Sequence, residues 1–360
     1  MELRHYLTFG GAILVLQLFL YVFNRTLCWF FNLQAKSKSR FVLCLTSYIS
    51  VNAVILLSIF RILPMFRLGA FLLAFLLFSM FVSIAIGIVR HIFRNRAKID
   101  RTLRWLYPLG LLGLLGLSVY NAYTPKVVHY IVQIDKPLKP VRIGMASDFH
   151  LGKWFGGKQL DQLAEIFNQQ QVDVILLPGD IMDDNVNAYL AEQMQPHLAK
   201  LKAPLGVYAT LGNHDFFGDQ MRIADEIKKA GIQVLWDQSM TVNNQFVLVG
   251  RNDDLVQNRP ETAELLKNVD TDLPVFLLDH RPTDIEKHVQ LPIDLQVSGH
   301  AHRGQIFPAN LITYLMYRLD YGYEKIGNGH FVVTSGYGFW GIPMRLGSQS
   351  EIVIIDVIGK

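Results

Sequence analysis

Cysteine is nearly missing from this chain. Its 360 residues hold two, Cys28 and Cys44. Disulfides, thiolate metal sites and cysteine nucleophiles are therefore excluded for everything beyond them. A cysteine-free region is also compatible with an oxidising compartment. Charge is scarce: Asp, Glu, Lys and Arg make up 18%, against about 25% in an ordinary soluble domain. Acids are scarcest early on. Residues 1–124 carry 13 Lys and Arg but only Glu2 and Asp100 as acids, whereas residues 125–360 carry 21 basic and 28 acidic side chains. The net charge of +4 thus describes neither part. There is no internal repeat, no low-complexity tract, no P-loop and no G-x-S-x-G elbow. A uniformly soluble protein, a disordered chain, a disulfide scaffold and a nucleic-acid binder with one continuous basic face are all excluded.

What the first part does have is long apolar runs. Residues 6–23, 41–60, 68–89 and 105–123 contain no charged side chain. At 1.5 Å rise, about 20 residues span the hydrocarbon core of a bilayer. A backbone in lipid must satisfy its own polar groups, so these runs predict four membrane-spanning helices within a transmembrane domain over 1–124. The first run lacks a small-residue cleavage site and leads straight into further spans, so it reads as retained. Cations mark the sides. Ten Lys and Arg fall in the 1–2 and 3–4 loops, against Arg4, Arg61, Arg67 and Lys126 on the other side. The positive-inside rule then puts both termini outside, in a multi-pass protein of the inner (plasma) membrane whose C-terminal domain faces the periplasm or exterior. The basic 90–104 loop also suits anionic headgroups. No ionisable residue interrupts the runs, which argues against a transporter.

Residues 125–140 read as an extended connector. From 141 to 360, short β-branched runs alternate with amphipathic patterns. Strands are predicted at 141–147, 172–178, 205–211, 232–236, 246–250, 274–278, 293–298, 331–335 and 351–357. Helices are predicted at 158–171, 187–201, 220–230 and 262–268. This is an α/β domain with room for a sizeable core.

Five of the strands end in polar clusters: Asp148-Phe-His150, Gly179-Asp180, Gly212-Asn213-His214-Asp215, Asp279-His280 and Gly299-His300-Ala-His302. In a largely parallel sheet, residues just past the carboxyl ends converge on one edge, where open α/β folds place ligands. Carboxylates, an amide oxygen and imidazoles gathered there suit borderline or hard divalent metals such as Mn, Fe or Zn. The adjoining glycines fit tight turns and close approach. The remaining histidines have no comparable setting and read as surface or structural.

This ordered set resembles the calcineurin-like metallophosphoesterase family across about residues 141–357. The Gly299-His300-Ala-His302 to Gln305 ending and the tail through Pro343-Met-Arg345 and Ser350-Glu351 resemble its bacterial membrane-tethered branch. The resemblance implies a four-layer α/β/β/α sandwich. It also implies two divalent metal ions, one held by Asp148, His150, Asp180 and His302 and the other by Asp180, Asn213, His280 and His300. Such a pair activates water and clamps the oxygens of an in-line displacement at phosphorus. His214 would protonate the leaving group or stabilise phosphoryl charge, with Asp215 orienting it. Arg303 stands where the branch has Gly, and reads either as a phosphate clamp or as a surface variation.

The implied activity is membrane-anchored hydrolysis of a phosphomonoester or phosphodiester. Four spans exceed what a tether needs, and Trp154 and Phe155 directly follow the first motif. A phospholipid substrate met by aromatics at a mouth beside the bilayer is therefore one reading, and core packing of those aromatics is the other. Two further functions compete: a lipid A precursor (UDP-diacylglucosamine-type) pyrophosphate hydrolase, which conflicts with the inferred sidedness, and a catalytically silent sensor or scaffold, which conflicts with the complete ligand set.

Overall fold

The computed structural model describes residues 3–60, 62–93 and 96–360, with the backbone alone for 3–9. Glu2, Arg61 and Arg94 and the Arg4 side chain, all counted in the charge argument, lie outside the described residues. The chain forms two compact units, Met1–Val119 and Tyr120–Lys360.

The first unit is built from α1 (Leu3–Phe30), α2 (Lys38–Ile59), α3 (Phe66–Ile92) and α4 (Ala97–Tyr123). All four are long and apolar enough to cross a membrane. They outrun the charge-free sequence at one end or both, where polar and cationic residues continue the helix. α2 buries none of its residues, and Leu14, Ile49 and Leu112 stand open to the surroundings. Apolar faces of this kind are stable against lipid, not water. Between the helices the contacts include small polar pairs. Gln17 Nε2 donates to Asn52 Oδ1 at 2.9 Å, Asn24 Nδ2 to Ser47 Oγ at 3.1 Å and Thr26 Oγ1 to Ser83 Oγ at 2.8 Å. Where hydrophobicity cannot drive helices together, such bonds hold register.

The second unit contains two six-stranded sheets. In chain order the strands are β1 (Lys126–Gln133), β2 (Val141–Met145), β3 (Val174–Pro178), β4 (Val207–Thr210), β5 (Gln233–Val234), β6 (Gln238–Val242), β7 (Phe246–Gly250), β8 (Val275–Leu278), β9 (Leu295–Ser298), β10 (Gly322–Ile326), β11 (Gly329–Val333) and β12 (Glu351–Ile358). The orders are β1-β12-β2-β3-β4-β5 and β10-β11-β9-β8-β7-β6. The segment expected to be a connector is thus largely strand: β1 pairs in parallel with β12 from Lys126↔Glu351 to Gln133↔Ile358. The helical pattern expected over 187–201 breaks into Asn187–Ala191 and Gln195–Leu198.

Alternation along the strands sets the layers. Ile143, Met145, Val174 and Leu176 face Leu248, Phe276, Leu278 and Val297 in a core between the sheets. The intervening Ile175 and Leu177 turn outward to Leu160, Leu163 and Phe167 of helix Gly157–Gln170 and to Ile223 and Ile227 of helix Gln220–Lys229. On the far side Val247, Val249, Val275 and Leu277 pack with Leu266. Helix, sheet, sheet and helix make the four-layer sandwich. Strands β2, β3 and β4 run parallel to one another in the first sheet, with β12 antiparallel beside β2, and β8 and β9 run parallel in the second, so the polar clusters that follow them gather at carboxyl ends.

Candidate metal centre

Every residue expected to bind metal comes to one place. The loop after β2 supplies Asp148 and His150, that after β3 Asp180, that after β4 Asn213, that after β8 His280 and that after β9 His300 and His302. Donor atoms of Asp148, His150 and His302 lie within 4.8 Å of one another, as do those of Asp180, His280 and His300. The Nε2 atoms of His150 and His302 face each other at 3.0 Å, and His302 Nε2 lies 3.4 Å from Asp148 Oδ1. Asp180 Oδ2 stands between the groups, 3.7 Å from His150 Nε2 and 3.2 Å from His280 Nε2.

The backbone bends to achieve this. Asp148, His150, Asp180, His300 and His302 all have positive φ, between 46° and 70°. Such conformations are costly for residues with a Cβ and collect at functional sites. Two glycines make the approach feasible. A Cβ at Gly212 would collide with Asp180 Oδ1, and one at Gly299 with Ser147 Oγ and Asp148 Oδ2. The gap is used, because His300 N–H donates to Asp148 Oδ1 at 3.0 Å and His214 N–H to Asp180 Oδ1 at 2.8 Å.

Electrostatics at the site favour a cation. Burial draws His150 and His300 down to about 3 and His302 well below the usual imidazole value, so these rings are neutral with lone pairs to offer. Burial opposes a proton on His280 as well, but Asp180 and Asp148 outweigh it and push His280 up to about 10. The carboxylates thus demand positive charge, and an ion meets that demand as a proton does. His280 Nδ1 lies 2.8 Å from Pro178 O, which fixes Nε2 as the free donor atom. Asn213 Oδ1 is buried with no hydrogen-bond partner among the described residues. A buried amide oxygen left unpaired is costly unless a ligand completes it. Carboxylate, imidazole and amide donors in this arrangement fit two divalent ions.

The chain matches the calcineurin-like phosphoesterase family over residues 141–304. It is 33% identical over 259 residues to an uncharacterised metallophosphoesterase of Aquifex aeolicus, across 69% of this chain and 97% of that protein. The chain belongs to the metallophosphoesterases. A Helicobacter pylori metallophosphoesterase is 30% identical over 276 residues, covering 74% of this chain and 73% of its own. A Danio rerio transmembrane protein with metallophosphoesterase domain is 30% identical over 270 residues, 69% of this chain and 61% of that protein. The protein is accordingly a phosphoric ester hydrolase of a family that uses a dinuclear metal centre, and its four spans make it a membrane protein.

Around this centre the metallophosphoesterase departs from expectation at Asp215. Asp215 does not orient His214. It is fully buried, and its carboxylate accepts from the N–H groups of Ile181, Met182 and Gly212 at 3.2, 3.0 and 2.9 Å. It ties the Asp180 loop to the Asn213 loop. Burial, with Asp180 nearby, lifts it to about 7. The partner of His214 is Asp184, whose Oδ1 meets Nδ1 at 2.5 Å. Burial works against a charge on His214, yet Asp184 and Asp180 leave its pKa above the usual value. Asp184 sits four residues past Asp180, and the Asp183-Asp184 pair was the available signal.

Of the two readings of Phe155, the structure shows core packing. The residue is 2% exposed and packs on Tyr123, Tyr337 and Phe339 with ring centroids 6.5, 5.2 and 5.5 Å away. It is core, because a ring enclosed on three sides has no face left for a substrate. Its neighbour Trp154 is 38% exposed, and its carbonyl accepts from Tyr123 Oη at 2.9 Å. The guanidinium of Arg303 lies 4.4 Å over the ring of Tyr321. One residue's role had gone unstated: Arg345, fully buried, whose Nη2 touches His302 Nδ1 at 3.0 Å and Gly338 O at 2.6 Å. It braces the back of that ligand. A second acidic group, Asp279, Asp284 and His288, is already filled by Arg251, whose Nη1 lies 3.0, 3.2 and 3.3 Å from them.

Proposed function

We propose that the protein hydrolyses a lipid-linked phosphomonoester or phosphodiester at the outer face of the cytoplasmic membrane. In this reading Asp148, His150, Asp180 and His302 hold one divalent ion, and Asp180, Asn213, His280 and His300 hold the other, with Mn, Fe or Zn suited to the donors. The observation that carries the chemistry is the convergence of all seven donors beside a histidine whose basicity a carboxylate raises. When bound, the ions supply Lewis acidity toward water and the phosphoryl oxygens.

The chain's own residues do the rest. Asp184 holds the His214 ring through Nδ1, which leaves Nε2 to give a proton to the departing oxygen. Asp215 fixes the Asp180 and Asn213 loops against each other. Arg345 fixes the ring of His302, and Pro178 O fixes that of His280. Gly212 and Gly299 let the ligand loops close.

Membrane attachment supports the lipid. The last turn of α4 belongs to the catalytic unit, where Tyr123 packs on Phe155 and Phe339. Ten loop cations against four support an external active site, which disfavours a cytoplasmic nucleotide lipid. The test is turnover by purified, detergent-solubilised full-length protein with Mn²⁺ on phospholipids, glycerophosphodiesters and nucleotides. Preference for a phospholipid is expected, and preference for a nucleotide would sink the lipid reading.

A further inference from the structure

The metal centre opens beside a run of apolar surface that the chemistry does not use. Helix Ala309–Met316 follows the last ligand loop and buries none of its residues. Leu311, Ile312, Tyr314, Leu315 and Met316 are 53% to 82% exposed, and no charged side chain occurs from Ile306 to Tyr317. The inward face is identified by Thr313, whose Oγ1 donates to Asp320 Oδ2 at 2.7 Å. At 100° per residue, Leu311 and Leu315 then point away from the fold.

The same surface reaches the active site. His300 lies 6.2 Å from Tyr317, and His214 lies 5.1 Å from Phe217 and 6.1 Å from Trp340. Gln305 joins the rims, because its Oε1 accepts from Trp340 N–H at 2.9 Å while its chain runs on into Phe307. The surface also reaches the end of the membrane helix. Phe307 N–H donates to Leu346 O at 2.6 Å, and Asn121 Nδ2, in the last turn of α4, donates to Arg345 O at 3.1 Å. Helix, site mouth and membrane exit are linked by hydrogen bonds within one unit. Exposed apolar surface on this scale marks a binding face. The last membrane-spanning helix runs directly into this unit, so the chain tethers it to a bilayer.

We infer that helix Ala309–Met316 is an interfacial element that inserts its Leu311 and Leu315 face into the lipid headgroup boundary, so that substrates reach the metal centre from the bilayer. The docking itself needs only the surface, and the route to the metals rests on the lipid-ester reading above.

The full-length chain, with Cys28→Ala and Cys44→Ala, is given one bimane-labelled cysteine by Leu315→Cys, or by Lys228→Cys at an exposed position of helix Gln220–Lys229 as reference. It is placed in nanodiscs of phosphatidylethanolamine and phosphatidylglycerol containing a headgroup-nitroxide lipid. Strong quenching at position 315 and little at 228 is expected. Equal quenching at both, or none at 315, overturns the docking and leaves the helix to a protein partner or second copy. A kinetic arm uses Leu311→Ser with Leu315→Ser. Hydrolysis of a vesicle-borne diacylglycerol p-nitrophenyl phosphodiester should fall tenfold or more, while bis-p-nitrophenyl phosphate in solution is hydrolysed as before. Unchanged lipid hydrolysis, or parallel loss on both esters, would overturn the role of the helix. Quenching at 315 with no wild-type hydrolysis of any lipid ester would instead refute the lipid-substrate reading and leave the docking standing.

Discussion

His214 and Asp184 provide the sharpest test of how this metallophosphoesterase moves a proton. His214→Ala removes the proposed acid but none of the seven donors, so metal content should stay near wild type while kcat falls by roughly 10²–10⁴-fold, the usual worth of general acid–base help. Asp184→Asn is subtler. The 2.5 Å contact is a charge-assisted hydrogen bond, worth about 1.5–3 kcal/mol when buried. Asp184 is 52% exposed against 14% for His214, and solvent screening brings this down to about 1 kcal/mol. That is less than one pH unit in the ring's basicity and about fivefold in rate at neutral pH. The sign is fixed by the role. An acid works in its protonated form, so activity is present below the pKa of His214 and lost as pH rises through it. Burial lowers that pKa, and Asp184 more than restores it. Removing the carboxylate should move the alkaline limb of kcat to lower pH. Elemental analysis beside pH–rate profiles decides the matter. Metal loss in the His214 variant, or an alkaline limb unmoved in the Asp184 variant, would refute the assignment.

Three further outcomes are expected. Asp180→Asn should cost more metal and more activity than His150→Ala, because Asp180 Oδ2 lies near donors of both groups; elemental analysis at matched protein concentration checks this. Phe155→Ala should destabilise the catalytic unit by about 3–5 kcal/mol, the range for a buried phenylalanine, seen as a lower Tm with soluble-ester and lipid-ester activities falling together. Alkaline phosphatase fused after Lys360 should be active and a cytoplasm-dependent fluorescent protein dark, because Lys and Arg concentrate in the 1–2 and 3–4 loops; a bright fusion would reverse the topology and restore the cytoplasmic lipid A precursor as substrate.

The parts of the fold legible in the sequence are those fixed by local hydrophobic periodicity. The charge-free runs became α1 to α4 because nothing but apolar length is needed to cross lipid. The central strands β2, β3, β7, β8, β9 and β12 were legible because both their faces are buried, which makes them near-continuous apolar runs. β1, β6 and β10 were not. β6 is largely exposed, with Gln238, Ser239 and Thr241 in solvent, and β10 carries Glu324 and Lys325. Both are edge or near-edge strands whose pairing comes from a partner far away or across a turn, not from their own pattern. Helix Ala309–Met316 is an uncharged apolar stretch in the sequence, but its exposure is tertiary information.

The site divides along the same line. Metal donors were legible because a ligand must sit at a loop directly after a strand, and a short motif is enough to carry that. Partners that act across loops leave no such trace. Asp184 reaches His214 from 30 residues earlier in the chain, and Asp215, adjacent to His214 in sequence, turns the other way to bind the amides of Ile181 and Met182. Proximity in sequence suggested the wrong carboxylate because a 3₁₀ turn over Asn213–Phe216 sends neighbouring side chains to different sides. Phe155 follows the same logic: Gly152 and Phe155 pair in a tight bridge that folds the ring inward and leaves Trp154 outside. Motif spacing therefore brings out the candidate donors. The partner of His214 comes from the loop after the neighbouring strand β3 and shows only once β3 and β4 have paired.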